Sequence, residues 1–182
     1  MGCILGQMPA SYLSPKAGSR LVSSGASGVV ALEPIAAGDV VAAFGGRCVD
    51  RTEIEGLDAA ARDRSVQIDD ELFIVDDAGE SVTHVGHSCH PNCGLRGSVL
   101  VVAMRDIAAD EVLTFDRAMT EGSDVHELEC HCGHGDCRGK VTGEDWMLPE
   151  LQLRYRGFFS PYLARRISSL VSVGAERRAF AL

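Results

Sequence analysis

Gly86-His87-Ser88-Cys89-His90-Pro91-Asn92-Cys93, followed downstream by Cys130-His131-Cys132-Gly133-His134-Gly135-Asp136-Cys137-Arg138-Gly139, is the text on which the reading of this chain turns. The second segment has the spacing Cys130-x-Cys132-x4-Cys137. Three thiolates held so close can wrap one Zn²⁺, but a structural zinc site is tetrahedral and needs a fourth ligand. Cys89 and Cys93 upstream are candidates, and His131 and His134 are local alternatives. A fourth ligand from Cys89 would clip the C-terminal part of the chain onto its middle. The plainer alternative is a loop with three reduced structural cysteines.

Working outward, the whole chain has 182 residues and seven cysteines, five of them in these two segments and Cys3 and Cys48 apart. Odd in number and clustered, they point to metal rather than disulfides and to a cytosolic setting. A length of 182 residues predicts one domain of ordinary size with a real core. Hydrophobic residues at 46% and charged residues at 24% exclude a wholly disordered chain. The longest apolar runs, Val40–Phe44 and Val99–Met104, are far too short to span a bilayer, so no membrane role is expected. The start Met1-Gly2-Cys3-Ile4-Leu5-Gly6 lacks the Ser or Thr of a myristoylation signal at position 6 and the basic start of a secretory signal. The expected location is the cytoplasm. Arg occurs fifteen times and Lys twice, a bias that fits a GC-rich bacterial source.

Net charge is −9, which argues against sequence-independent DNA binding. Residues 1–139 hold ten basic and 22 acidic side chains, and residues 140–182 hold seven and four. An acidic body would attract a cationic ligand or a basic protein or peptide; a solvated surface that keeps the chain soluble reads equally well.

Residues 1–18 read as a polar lead-in. From Arg20, short β-branched runs broken by Gly and Asp predict small strands at Val29–Leu32, Val40–Phe44, Val66–Ile68 and Leu72–Val75, with two more at Val99–Met104 and Val112–Phe115. Thr52–Ala61 has helical composition. After the cysteine segment the tail becomes helical. Pro149 suits the first turn of a helix ending at Gly157. Ser160 and Pro161 read as N-cap and first residue of a second helix with Leu163, Ile167, Leu170 and Val171 on one face. Arg154, Arg156, Arg165 and Arg166 read as a solvated helix face, and Trp146 as a core anchor at a helix start or as a cover for a pocket. The sum is a mostly β body with short helices, a metal clip and a C-terminal helical pair. The expected division is lead-in 1–19, body 20–118, clip 119–142 and helical extension 143–182.

Four blocks in order resemble a SET-domain protein, the protein-lysine methyltransferase family, of a short bacterial type with a post-SET cysteine motif. Ser24-Gly25-Ala26-Ser27-Gly28-Val29-Val30-Ala31 with Ala37-Gly38-Asp39-Val40-Val41 is similar to the family's opening hairpin. His87-Ser88-Cys89-x-Pro91-Asn92 resembles the central motif, and Asp106-Ile107 with Glu111-x-Leu113-Thr114-Phe115-Asp116 resembles the closing strand. Cys130–Gly139, ending in Cys-Arg-Gly, matches the post-SET pattern.

The resemblance implies a β-clip fold of small sheets with a knot-like C-terminal segment. It implies S-adenosylmethionine (SAM) as cofactor, its methyl aimed into a narrow channel that the acceptor lysine enters from the other side. Ala26, Ser27 and Gly28 would meet the cofactor through backbone, Gly86 and His87 would hold it at the centre, and Val141 would touch the adenine. Cys89 would join Cys130, Cys132 and Cys137 around zinc. His87, Phe115 and Arg117 stand at the catalytic positions.

Two departures stand out. Gly86 replaces the family's first central asparagine, removing a side-chain hydrogen bond to a charged cofactor, a contact of roughly 1.5–3 kcal/mol. Arg117 replaces the catalytic tyrosine. A phenol can accept and donate, whereas a guanidinium only donates and is always charged, so it would repel an ammonium and suit a carboxylate or phosphate. Tyr155 or Tyr162 could fold in from the tail, or Arg117 could turn away to pair with Asp116, Asp124 or Glu121. A SAM-dependent lysine methyltransferase is the first expectation. A SAM-dependent enzyme with another acceptor, or an impaired SAM- and zinc-binding interaction module, are the alternatives.

Overall fold

Short apolar runs punctuated by glycine and aspartate make short strands, and here they assemble into several small sheets rather than one large one. The structure, a computed structural model, describes residues 10–21, 27–79 and 85–179, with side chains as far as residue 170. With elements numbered along the chain, one antiparallel sheet runs in the order β1 (Tyr12–Leu13), β4 (Val40–Ala43), β10 (Leu100–Ala103), β9 (Cys93–Arg96). A second has the order β5 (Arg47–Asp50), β7 (Leu72–Val75), β6 (Ser65–Asp69). β2 (Ala17–Leu21) pairs with β3 (Ser27–Ala31), and β12 (Leu128–Glu129) with β13 (Lys140–Val141). β8 (Gly86–His87) and β11 (Thr114–Phe115) pair in parallel.

Strands such as Val101-Val102-Ala103 and Phe73-Ile74-Val75 are buried along consecutive residues, so both faces of these small sheets are covered. The largest core cluster includes Val29, Val41, Leu95, Val101, Ile107, Leu113, Phe115 and Met119. Val49, Ile54, Phe73 and Val75 form a second, smaller one.

The structure departs from the sequence reading in four places. The lead-in is not separate: Tyr12–Leu13 extends the four-stranded sheet against Ala42 and Ala43, and Ala17–Leu21 is the first arm of a hairpin. Thr52–Ala61 is two helices, α1 (Arg51–Glu55) and α2 (Ala59–Asp63), because Asp50 and Asp58 each cap a new start across Gly56. The run Val112–Phe115 is a strand only at Thr114–Phe115; before that it borrows single partners on β3, with Leu113 N–H donating to the Val29 carbonyl at 2.8 Å.

The tail forms α3 (Pro149–Arg154) and α4 (Pro161–Ala179), but it is not an appendage, since Trp146, Leu151, Tyr155, Phe159, Tyr162 and Leu163 belong to the main core cluster. Gly94 on β9 allows this docking. A Cβ there would stand 2.7 Å from the Phe158 ring, while Leu95 N–H donates to the Phe158 carbonyl. Of the expected α4 face, Leu163 is buried, Ile167 packs at the edge, Leu170 is 49% exposed and the Val171 side chain lies outside the described residues. Ser160 carries no side-chain cap; its hydroxyl is buried without a partner among the described residues, and its backbone N–H donates to the Met119 carbonyl. No described helix is long and apolar enough to cross a membrane.

Candidate functional site

Two structures meet at the site, the cysteine clip and the parallel pair β8–β11. The Sγ atoms of Cys89, Cys130, Cys132 and Cys137 lie within 4.8 Å of one another. Cys89 and Cys130 sulfurs are 3.8 Å apart, which is about the edge of a tetrahedron with Zn–S bonds of about 2.3 Å. Val141 and Leu128 pack around them and keep the cluster half-dry. Burial pushes the Cys130 thiol up to about 12, whereas at Cys132 it is outweighed by N–H donors at His134 and Cys89, which bring that thiol down to about 6. The donor set, spacing and shell fit a structural zinc ion. Cys93 is not part of it: it is buried on β9, bonded to Asn92 Oδ1 at 3.4 Å and pushed up to about 12 by desolvation. His131 pairs with Glu129 at the surface, and His134 stacks on His90.

The register of the parallel pair sets Phe115 beside His87. Between these strands the chain makes the β9–β10 hairpin, and Asn92 ties that hairpin to the closing segment by donating to the Val112 carbonyl at 2.9 Å and accepting from Thr114 N–H at 3.0 Å. His87 Nδ1 accepts from the Arg117 backbone N–H at 3.2 Å, so that nitrogen bears no proton, and desolvation holds the ring down at about 4. Its Nε2 lies 3.5 Å from Cys89 Sγ, which directs its hydrogen at a cluster sulfur.

Behind this pair lies a network that the sequence reading did not find. Asp116 is fully buried and accepts a bidentate pair of bonds from Arg138 at 2.7 Å each, one from the Tyr155 hydroxyl at 2.9 Å and one from Ala118 N–H at 2.9 Å. Arg138 also bonds Asp145 Oδ2 at 2.6 Å, and its backbone N–H donates to Cys89 Sγ. The Tyr155 hydroxyl also reaches the Cys89 carbonyl, as does Arg154. One buried charge cluster therefore joins closing strand, cysteine clip and tail. Asp116 and Arg138 both lie inside quoted motifs; their pairing was the missing information.

Arg117 follows Asp116 and stands between two cavities. One, a narrow slot of about 20 Å³, is lined by Phe44, Asp63, Arg64, Ser65, Val66, Val85, Phe115 and Arg117, with Phe44 and Phe115 edge to face at 5.7 Å. The other, about 440 Å³ and open to solvent, is lined by His87, Arg117, Leu128, Glu129, Cys130, His131 and Cys132. The Arg117 side chain is 19% exposed, donates to the Asp63 carbonyl at 3.1 Å and lies 3.8 Å from Glu121 Oε1. Of its three anticipated partners, Asp116 is taken by Arg138 and Asp124 by Arg51, leaving Glu121. Neither tail tyrosine supplies a free phenol, since Tyr155 is held by Asp116 and Tyr162 bonds the Thr120 carbonyl.

A family model described as "SET domain" matches residues 26–116, half of the chain. The chain belongs to the SET-domain family. Similar curated proteins include the "Histone-lysine N-methyltransferase, H3 lysine-4 specific" of Yarrowia lipolytica, 32% identical over 130 residues, covering 63% of this chain and 11% of that protein. "Histone-lysine N-methyltransferase TRX1" of Oryza sativa is 37% identical over 84 residues, 42% of this chain and 8% of that protein. The chain thus spans about a tenth of the length of these relatives. Among solved structures, Arabidopsis thaliana SUVH6 in complex with SAM aligns with a TM-score of 0.59 at 16% identity, covering 70% of this chain and 33% of that one. KRYPTONITE in complex with mCHG DNA and SAH aligns with a TM-score of 0.53 at 24% identity, covering 68% and 28%. These two likenesses support the fold of small antiparallel sheets.

In this SET domain the residues expected at the centre fall into three groups. Gly86, His87, Phe115 and Arg117 converge at β8–β11, and Val141 packs beside the cysteines and pairs with Leu128. Gly86 is exposed, and a Cβ there would meet nothing within 4 Å, so the space that the family's asparagine would use is open. Ser27 and Gly28 lie on β3, whose antiparallel run past Val112 and Leu113 points their end at Thr114–Phe115. Ala26 lies outside the described residues. Trp146 is a buried core anchor under the Arg166 guanidinium, so Arg166 is a docking residue rather than a solvated one, as is Arg154.

Proposed function

We propose that this chain is a SAM-dependent methyltransferase that modifies the side-chain amine of a lysine in a basic protein or peptide, with a post-SET zinc ion completing the site. The observation that carries the reading is the pair of cavities that share Arg117 in their walls, one narrow and lined by apolar and charged side chains alike, the other wide, beside His87 and the cysteine clip. The wide one has the size and mixed lining of a cofactor site. SAM bound there would supply the sulfonium methyl. Ser27, Gly28, Gly86, His87 and Val141 are the residues assigned to hold it, and Cys89, Cys130, Cys132 and Cys137 would hold zinc.

The chain's own part is chiefly alignment. His87 is fixed by the Arg117 backbone and faces the cysteines, so the clip and β8 are oriented together. Phe44 and Phe115 form an apolar sleeve that excludes water and narrows the approach of an acceptor chain. The acidic body favours a basic partner. The names of the histone-lysine methyltransferase relatives support a protein lysine as acceptor.

An interaction module without turnover is the second reading, favoured by the absence of a free tail phenol at position 117's side of the sleeve. Calorimetric titration of SAM and its demethylated product into zinc-loaded protein, with Gly28→Trp as control, separates the two when followed by mass spectrometry of basic peptides. Micromolar binding lost in the control, with a mass gain of one methyl on lysine, is the expected result. Binding without transfer leaves the module.

A further inference from the structure

Resting on the methyltransferase reading, we propose that Arg117 is a gate between the two cavities: its side chain is the partition that keeps the narrow acceptor slot shut, and a lysine is admitted only when the guanidinium swings out. Among the described residues, only Arg117 lines both cavities. The slot on one side has about 20 Å³ of space, room for about one water, whereas a lysine brings a four-carbon stem and an amine. The cavity on the other side holds about 440 Å³ and opens to solvent. A donor in the wide cavity and an amine in the slot can meet only across the wall between them, and that wall is this side chain. Arginine is at least as bulky as the lysine that must enter, so its withdrawal makes the room.

The gate has a fixed hinge and a light latch. At the hinge, the Arg117 backbone N–H donates to His87 Nδ1 at 3.2 Å, and its carbonyl accepts from Thr120 N–H at 2.9 Å and Glu121 N–H at 2.8 Å. At the latch, Nη2 donates to the Asp63 carbonyl at 3.1 Å. That carbonyl belongs to the last residue of α2, where C=O groups have no partner within the helix. The counter-ion is the buried Glu121, whose Oε1 stands 3.8 Å from Nη1. Glu121 is itself anchored elsewhere: the Thr120 hydroxyl donates to Oε1 at 3.3 Å, and Oε2 lies 2.8 Å from His126 Nδ1. One hydrogen bond at an exposed edge and one long ion pair therefore hold the closed position. Such a latch favours closure by only a modest factor, so it can open.

The closed position resembles occupation by a substrate. A backbone carbonyl and a carboxylate hold the guanidinium, and an incoming lysine ammonium, a donor with no acceptor of its own, would seek the same groups. Arg117 and the acceptor thus compete for one place. The other polar residues of the slot are tied down. Arg64 Nε donates to the Asp76 carbonyl at 3.1 Å, and the Ser65 hydroxyl lies 2.8 Å from both the Arg62 carbonyl and His126 Nε2. Phe44 and Phe115 brace each other edge to face. A guanidinium that leaves the slot enters the wide cavity, where solvent hydrates it and the exposed Glu129 offers a carboxylate. The residue at 117 then governs when the acceptor is admitted, while lysine remains the substrate.

The test compares the parent with Arg117→Ala and Arg117→Ser, each zinc-loaded and saturated with the demethylated cofactor product so that the wide cavity is filled. The probe is n-butylamine, which has the stem and amine of lysine, and the readout is the NMR shift of the Phe44 and Phe115 ring signals. Both truncated variants should respond at amine concentrations about tenfold or more below those the parent needs, the worth of the latch that the parent must break. Equal dissociation constants in all three proteins overturn the gate, however well any of them methylates. With SAM in place of the product, mass spectrometry of basic lysine peptides checks the reading on which the gate rests. Amine that enters the truncated variants while none of the three proteins methylates any peptide overturns the methyltransferase reading and the slot's role as acceptor entrance with it, and the ring shifts tell that failure from the first. Should one truncated variant fail to fold, the other carries the comparison.

Discussion

The cysteine clip and the closing turn after β11 are neighbours, but they are built on opposite principles. In the clip, function follows from spacing: Cys130, Cys132 and Cys137 are close along the chain, so a short loop can present three sulfurs to one point almost regardless of what surrounds it. In the closing turn, Asp116 and Arg117 are adjacent yet face different worlds, one sealed against Arg138 and Tyr155, the other set in the wall between two cavities. Local chelation tolerates change around it. A side chain whose meaning lies in distant partners does not.

Removing the metal ligand set should give the largest effect. Cys130→Ser, or a strong chelator on the parent, should abolish bound zinc by metal analysis. It should also lower Tm on the order of 10 °C, because ligand binding here is folding free energy for residues 128–141. A parent that holds no zinc and melts identically with chelator would falsify the metal assignment and leave the clip as a plain cysteine loop.

Next comes the network that fastens the closing turn. Asp116→Ala leaves the buried Arg138 guanidinium with Asp145 alone and the Tyr155 hydroxyl without its carboxylate, and should cost about 3 kcal/mol by urea denaturation. Adding Arg138→Met should recover a large part of that loss. Additive losses in the double variant would show that the two residues stabilise different things and that the clip and the turn are not coupled through them.

The smallest expected effect sharpens the comparison at Gly86. A side chain there meets open space, so Gly86→Asn should leave stability within about 0.5 kcal/mol. Its amide should tighten SAM about tenfold or more by calorimetry, the worth of one hydrogen bond to a charged group. An unchanged dissociation constant would mean that the cofactor does not approach β8 in the way assigned.

Legibility in the sequence followed the range of the interactions involved. β4, β6, β7 and β10 were readable because short, continuous apolar runs have one way to hide. β8 was not readable as a strand, for two residues carry no periodicity and its pairing with β11 is parallel and non-local. The same limit hid Tyr12–Leu13, which is a strand only because β4 offers an edge. The fourth cysteine stayed open on spacing alone between Cys89, Cys93 and two histidines; the fold brings Cys89 to the other three and sends Cys93 into β9. The tail's two helices were legible from Pro149 and Pro161, whereas their use was not. Tyr155 looked like a spare phenol and is instead a buried strut between Asp116 and the Cys89 carbonyl.

By itself the sequence determined the family, the class of small sheets, three of the clip's cysteines and the substitution at 117, because each is written in residues close together or in an order of motifs. Only the tertiary structure decided which sulfur completes the cluster, that the tail is part of the core, and that Arg117 stands at the seam of two cavities with Glu121 beside it. Those depend on the pairing of groups far apart in the chain, where burial forces every charge to find a partner and the partner found sets what the site can do.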